Sequence, residues 1–127
     1  MANTGAGGGR DAFEDREKAF EAKYRHDEEI AFRVDARCAQ LLGRWAAVQL
    51  GLAGQALDSY AQAVREADLA RPNHVAMMQK LLADLIAHGI MINEAKLRVQ
   101  RERLLDEARS QIVSELGSGR QRLEPGL

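Results

Sequence analysis

From Phe13 to Leu52 the chain repeats with a spacing of seven. Phe13, Phe20, Asp27, Val34, Leu41 and Val48 form one series, and Glu17, Tyr24, Ala31, Cys38, Trp45 and Leu52 a second, interleaved with it. Positions three or four apart share a helical face, so both series lie on one seam of a single helix of about eleven turns. The seam changes character near Ile30. Beyond it Val34, Cys38, Leu41, Trp45, Val48 and Leu52 are apolar at every step, with Ile30 and Leu42 widening the stripe, which predicts a core helix with Trp45 at the centre of the core. Before it Phe13, Phe20 and Tyr24 stand alone in a dense charged background, with carboxylates at two seam positions.

The later helices follow from their caps. Gly51 or Gly54 can end the first helix in a left-handed turn. A second helix is predicted from about Gln55 to Ala70, with Leu57, Tyr60, Val64 and Ala67 inward and Arg65, Glu66 and Asp68 outward, stopped by Pro72. Asn73 is the expected N-cap of a third helix with Val75, Met78, Leu82, Leu85 and Ile86 on one side and Gly89 at its end. Asn93 caps a fourth, with Leu97, Leu104, Leu105, Ala108 and Ile112 inward, ending near Gly117. Short connections favour antiparallel neighbours, so the expected fold is all-α, a four-helix bundle with a long first helix whose N-terminal arm is flexible.

Four segments are expected. Residues 1–10 carry almost no apolar surface and should be a mobile Gly-rich leader. Asp11 and Glu14 fit a capping box, so a helical arm should begin there and run through residues 11–29. Glu14–Lys18, Glu21–Arg25 and Glu29–Arg33 place an acid four residues before a base, a small help to the helix. Three aromatic side chains are too few to offset the backbone entropy of the arm, which should order fully only against another surface. The bundle then occupies residues 30–117, followed by a loose polar tail at 118–127.

Composition narrows the function classes. The 18 basic and 19 acidic residues leave a net charge of −1, which offers no general field for nucleic acid or an anionic membrane. Apolar runs broken by Gly43, Arg44 and Gln49 are too short for a membrane span, and no secretory signal opens the chain. The single Cys38 has no internal disulfide partner and reads as a small buried hydrophobe, compatible with a reducing compartment. His26, His74 and His88 fall on different elements without metal-ligand spacing, and the leader lacks the strand and Gly-Lys-Ser/Thr of a phosphate loop. No Ser sits in a Gly-x-Ser-x-Gly elbow, and no carboxylate pair suggests acid–base chemistry, so an enzyme is not expected. The arm resists the bland reading. A merely solvated helix has no need of three aromatic residues on one stripe, whereas anchors ringed by charge are what binding hot spots are made of.

The run Phe13-Glu-Asp-Arg-Glu-Lys-Ala-Phe-Glu-Ala-Lys-Tyr-Arg-His-Asp-Glu-Glu, then Ala36-Arg37, Leu41-Leu42-Gly43-Arg44-Trp45-Ala46-Ala47 and Leu50-Gly51, resembles the zeta subunit family, the inhibitor subunits of alphaproteobacterial F-type ATP synthases. Tyr60-Ala61, Ala67-Asp68, Asp84 to Gly89 and Leu104 to Ala108 extend the likeness to Ile112. The resemblance implies a four-helix bundle whose N-terminal segment inserts between subunits of the catalytic head (alpha, beta and gamma) beside the rotor and blocks hydrolytic rotation. Carried over, that segment comprises Phe13, Glu14, Asp15, Arg16, Glu17, Phe20, Glu21, Lys23, His26 and Asp27, to which the aromatic stripe adds Tyr24. It further implies a non-catalytic protein, monomeric when free, cytoplasmic and peripheral to the inner-membrane ATP synthase. No cofactor is implied beyond weak adenine-nucleotide binding, for which no motif locates a pocket.

Overall fold

A computed structural model describes the backbone of residues 2–70 and 73–123 and the side chains of residues 12–70 and 73–118. Among the described residues the chain is all-helical: α1 is Ala2–Gln49, α2 Gly54–Ala70, α3 Val75–Ala87 and α4 Glu94–Leu123. Contacts divide the chain into two units, Met1–Phe32 and Arg33–Leu127. The side chain of Asp11, expected to cap α1, and Pro72, expected to stop α2, lie outside the described residues, as do the side chains of the leader and of residues 119–127.

Two helix boundaries differ from the sequence expectation. α1 begins at Ala2 rather than Asp11, and α4 passes Gly117 to reach Leu123. A nucleated helix adds residues at one hydrogen bond per residue fixed, so the isolated Gly117 weakens α4 without ending it. Glycine ends a helix where it turns left-handed, and Gly51 (φ 78°) and Gly89 (φ 87°) do so. At the first, Leu52 N–H donates to Ala47 O at 2.9 Å and Gly51 N–H to Val48 O at 3.0 Å; at the second, Ile90 N–H donates to Leu85 O and Gly89 N–H to Ile86 O. Both are Schellman closures, which satisfy carbonyls the helix end would orphan. Asn93 caps α4 as expected, its Oδ1 accepting from Lys96 N–H at 2.8 Å. Asn73 Oδ1 accepts from Val75 N–H at 3.2 Å, but the residue at the cap position of α3 is His74, at φ 68°.

In the second unit one core draws on four helices: Ala39, Leu42 and Ala46 from α1, Val64 from α2, Met77, Leu81 and Leu85 from α3 and Leu97 from α4. Val34, Cys38, Ala108 and Ile112 are buried with them. The expected inner face of α3 is displaced. Met77, Leu81 and Leu85 are buried, Met78 and Leu82 half-buried, and Val75 and Ile86 exposed. The segment is apolar almost all round, so two stripes about 100° apart compete, and packing selects the one that meets the other helices. Val48 also faces solvent, one residue before α1 ends, and Trp45 packs against the edge of the core instead of filling it. Where α1 faces α2 the buried residues include Ala46, Ala47 and Ala61, and the two backbones approach closely at Gly43. A Cβ placed on Gly43 would stand 2.9 Å from Ala61 Cα and 3.2 Å from Ala61 O.

Asp68, expected to face outward, is buried, and its Oδ1 lies 2.7 Å from His74 Nδ1. This tie joins the end of α2 to the start of α3, so the short connection leaves the carboxylate paired rather than stranded. Tyr60 O–H donates to Asp84 Oδ2 at 2.8 Å, joining α2 to α3, and Lys80 Nζ donates to the same oxygen from above the tyrosine ring. Arg37 reaches α4, donating to Gln111 Oε1 at 2.8 Å and to both Glu115 oxygens. Arg44 donates to Asp58 at 2.7 Å across α1 and α2.

The close crossing makes Gly43→Ala destabilising even though alanine is the better helix former. Overpacking against backbone costs about 1–3 kcal/mol, against about 1 kcal/mol regained in helix propensity. Urea unfolding should show a net loss of roughly 1 kcal/mol for Gly43→Ala and a larger loss for Gly43→Leu; a gain for the alanine variant would mean that the two helices can separate freely. Cys38 gives a second measurement. Burial pushes its thiol up to about 11 in spite of the nearby Arg101 guanidinium, while its Sγ–H donates to Arg101 O at 3.6 Å. The reactive thiolate is therefore scarce below that pH. Iodoacetamide at pH 8 should modify the native protein more than about a hundredfold slower than the urea-unfolded chain; equal rates would show that the thiol is not enclosed.

Candidate functional site

The candidate site lies in the first unit, on the part of α1 that carries the sequence-predicted residues. All eleven, from Phe13 to Asp27, have exposed side chains. Phe13 is 64%, Phe20 75% and Tyr24 61% accessible, values that decide their role, since such rings do nothing for a core. Along a helix that turns about 100° per residue, the three fall within about 40° of one another and make a narrow aromatic stripe. Phe32 is also 61% exposed but points about 100° from Phe13, off the stripe. The seam periodicity could not single it out, because its signal is an exposed aromatic at the unit boundary.

Charged residues border the stripe on both sides, with Arg25 and Lys18 about 120–140° round on the side of the glutamates. Glu17, Glu28, Glu21 and Glu14 lie about 40–100° to one side, whereas Arg16 and Lys23 lie about 60–80° to the other. Asp27 sits about 40° from Phe13 on the basic side, next to the stripe as Glu17 is on the acidic side. Asp15 and His26 point toward the back of the helix, well away from the aromatic rings. The three expected ion pairs are not formed: among the described residues Glu14–Lys18, Glu21–Arg25 and Glu29–Arg33 are absent from the salt bridges, which are found in the second unit. Exposed pairs of this kind gain little over the side-chain entropy that holding them requires. Tyr24 has one local partner. The Glu28 carboxylate, one turn on, raises the Tyr24 pKa, by hydrogen bonding first and by charge second.

The second unit carries a concavity that no motif announced. It has a volume of about 410 Å³ and lies between α3 and α4, with Met78, Leu82 and Leu97 as an apolar wall and Arg98 and Arg101 as cationic groups. Arg98 is paired with Glu94 at 2.7 Å. Arg101 has its Nε buried without a hydrogen-bond partner. His74 borders the same cavity while held by Asp68. From sequence, the only signal for it was a basic pair three apart on the predicted fourth helix.

Among the described residues no helix is long and apolar enough to cross a membrane. A search among curated proteins gives no match. The family model described as ATPase inhibitor subunit zeta matches residues 10–111, which take in the whole aromatic stripe and all but the end of the bundle. A helical bundle with a charged, aromatic-striped first helix and no need of catalytic groups agrees with that match, and the chain belongs to the ATPase inhibitor subunit zeta family, making it a regulatory, non-catalytic protein with an inhibitory role.

Proposed function

We propose that this protein inhibits ATP hydrolysis by the F-type ATP synthase, and that it does so by inserting residues 11–29 of α1 into the catalytic head beside the rotor. The observation that carries the reading is the exposure of Phe13, Phe20 and Tyr24 on one narrow face. Aromatic rings of this size bury large areas at little rotamer entropy, and a few of them commonly supply most of an interface's affinity. The partner surface is formed by alpha, beta and gamma subunits, and the wedge acts by steric and energetic obstruction of rotation, without covalent chemistry. The protein then sits at the cytoplasmic face of the membrane-bound enzyme as a peripheral subunit.

Inhibition requires the free arm to give up conformational freedom on docking, so its anchors must return more than that loss. Adding the protein to the isolated catalytic head during ATP turnover should lower hydrolysis, while a chain beginning at Tyr24 should not. The double variant Phe13→Ala/Phe20→Ala should raise the inhibition constant by about a hundredfold or more, in line with two hot-spot aromatics. Equal hydrolysis rates with the full-length and shortened chains would sink the insertion mode.

A second reading, weak adenine-nucleotide binding to the bundle, is favoured by the cavity at Arg101. Its volume of about 410 Å³ is within the range of small-ligand pockets, about 300–1,000 Å³. An unpartnered buried guanidinium nitrogen favours an acceptor such as a phosphate oxygen, and Met78, Leu82 and Leu97 suit a base. Titration with ATP or ADP, followed by amide NMR, should move signals of residues 74–82 and 94–102, and Arg101→Ala should abolish the response. Shifts confined to other residues, or none at millimolar nucleotide, would remove this reading.

A further inference from the structure

The chain has three phenylalanines, Phe13, Phe20 and Phe32, and all of them are exposed. Phenylalanine is among the residue types most often withdrawn from water, yet the core of the second unit is filled by Leu, Met, Val and Ala. Two of the three belong to the aromatic stripe, and Phe32 lies past residues 11–29. It is nevertheless continuous with the stripe along another line of the helix. Phe20, Tyr24, Glu28 and Phe32 stand four residues apart, and each step of four advances about 40° round the axis and about 6 Å along it. Such a row is one of the ridges by which a helix packs against a neighbour. All four side chains are exposed. On the seam itself the positions after Tyr24 are Asp27 and Ala31, which carry no anchor, so the ridge is the line on which large apolar side chains continue. From Phe13 and Phe20 to Phe32 the exposed rings turn by about 100–120°.

We infer that Phe32 is a fourth anchor of the arm, and that the surface receiving it is a cleft with two apolar walls, one facing Phe13 and Phe20 and the other facing Phe32, with Tyr24 between them. This rests on the reading of the arm as the inhibitory element, and the ridge joins Phe32 to that interface, so the occupant is the same catalytic head that takes the stripe. A flat surface holding Phe13 and Phe20 would leave in water a ring turned by about 100° or more from them. A cleft covers both. Glu28, between Tyr24 and Phe32 on the ridge, sets a condition on the second wall: a cation or a hydrogen-bond donor must face its carboxylate, because enclosing the charge without one is costly.

Phe32→Ala in the full chain, assayed on the isolated catalytic head during ATP turnover, should raise the inhibition constant by about tenfold or more, as loss of a hot-spot ring does. Thermal unfolding should be unchanged, since the ring is exposed. A second measurement reads the contact directly. Phe32→Cys sets an accessible thiol on the ridge while the native Cys38 stays buried. Bound to the head, this variant should react with a maleimide at position 32 roughly tenfold or more slower than when free. If Phe32→Ala inhibits as the wild type does, or Phe32→Cys is labelled equally fast bound and free, while Phe13→Ala/Phe20→Ala relieves inhibition, only this inference fails. If the double variant is also without effect, the inhibitory reading of the arm fails with it. A lowered melting temperature for Phe32→Ala would assign the ring to the fold, and a dimer in sedimentation that Phe32→Ala dissolves would assign it to a second copy; either result overturns the proposal.

Discussion

The approach of α1 to α2 at Gly43 sets the dimensions of the bundle. With Ala39, Ala46 and Ala47 beside it and Ala61 opposite, the two backbones meet where a single added carbon would stand 2.9 Å from a Cα. Packing this tight leaves no central space for an indole, which is why Trp45 lies at the edge of the core and Leu42, Met77, Leu81, Leu85 and Leu97 fill the middle. Interiors are close-packed, so the choice of small residues on one pair of helices decides which side chains the other pair must contribute. The displaced stripe of α3 is one consequence: Met77, Leu81 and Leu85 are the positions that reach the volume α1 and α2 leave open.

Polar groups fix the packing that volume alone leaves loose. The Asp68–His74 pair holds His74 in a left-handed conformation that a non-glycine residue seldom adopts. Removing either partner would leave a polar group in a site built for two. Tyr60 to Asp84, with Lys80 over the ring, pins α2 to α3 in the same way, and burial together with the Asp84 carboxylate raises the phenol so that it remains a donor throughout the physiological range. Arg37 fastens α1 to α4 through Gln111 and Glu115. These contacts give the second unit one defined arrangement. The first unit has a different composition because it meets a different requirement.

Much of this was legible in the sequence where periodicity and caps are unambiguous. Gly51 and Gly89 ended their helices, Asn93 capped α4, and Val34, Cys38, Leu97, Ala108 and Ile112 faced inward because each stood on a stripe with polar neighbours. Legibility failed where the pattern was degenerate. α3 is apolar on too many sides to reveal which it buries, and nothing local in Ala67-Asp68-Leu69 shows that the carboxylate will find a histidine across the next connection. The candidate site behaved in the opposite sense. Its aromatic residues were visible because they violate the usual rule that large rings are withdrawn from water, and that violation survives any detail of packing. The cavity at Arg101 was invisible for the complementary reason, since it is made by two helices that share no motif.

An aliphatic stripe at the same positions would bury comparable area, and the use of aromatics needs its own explanation. Leucines at seven- and four-residue spacing, with apolar residues in place of Glu17 and Asp27, would form a coiled-coil seam able to pair with any similar helix, including its own copy. Three rings separated by carboxylates cannot zip in that manner. They can, however, each fill a pocket on a surface shaped to receive them, where fully enclosed aromatic side chains are most effective. The same carboxylates keep the exposed face wet in the free protein and limit self-association, at the expense of affinity for any partner that lacks a facing cation. In the proposed docking, selectivity would arise from what the stripe omits as much as from the rings it presents, and a partner would have to answer both.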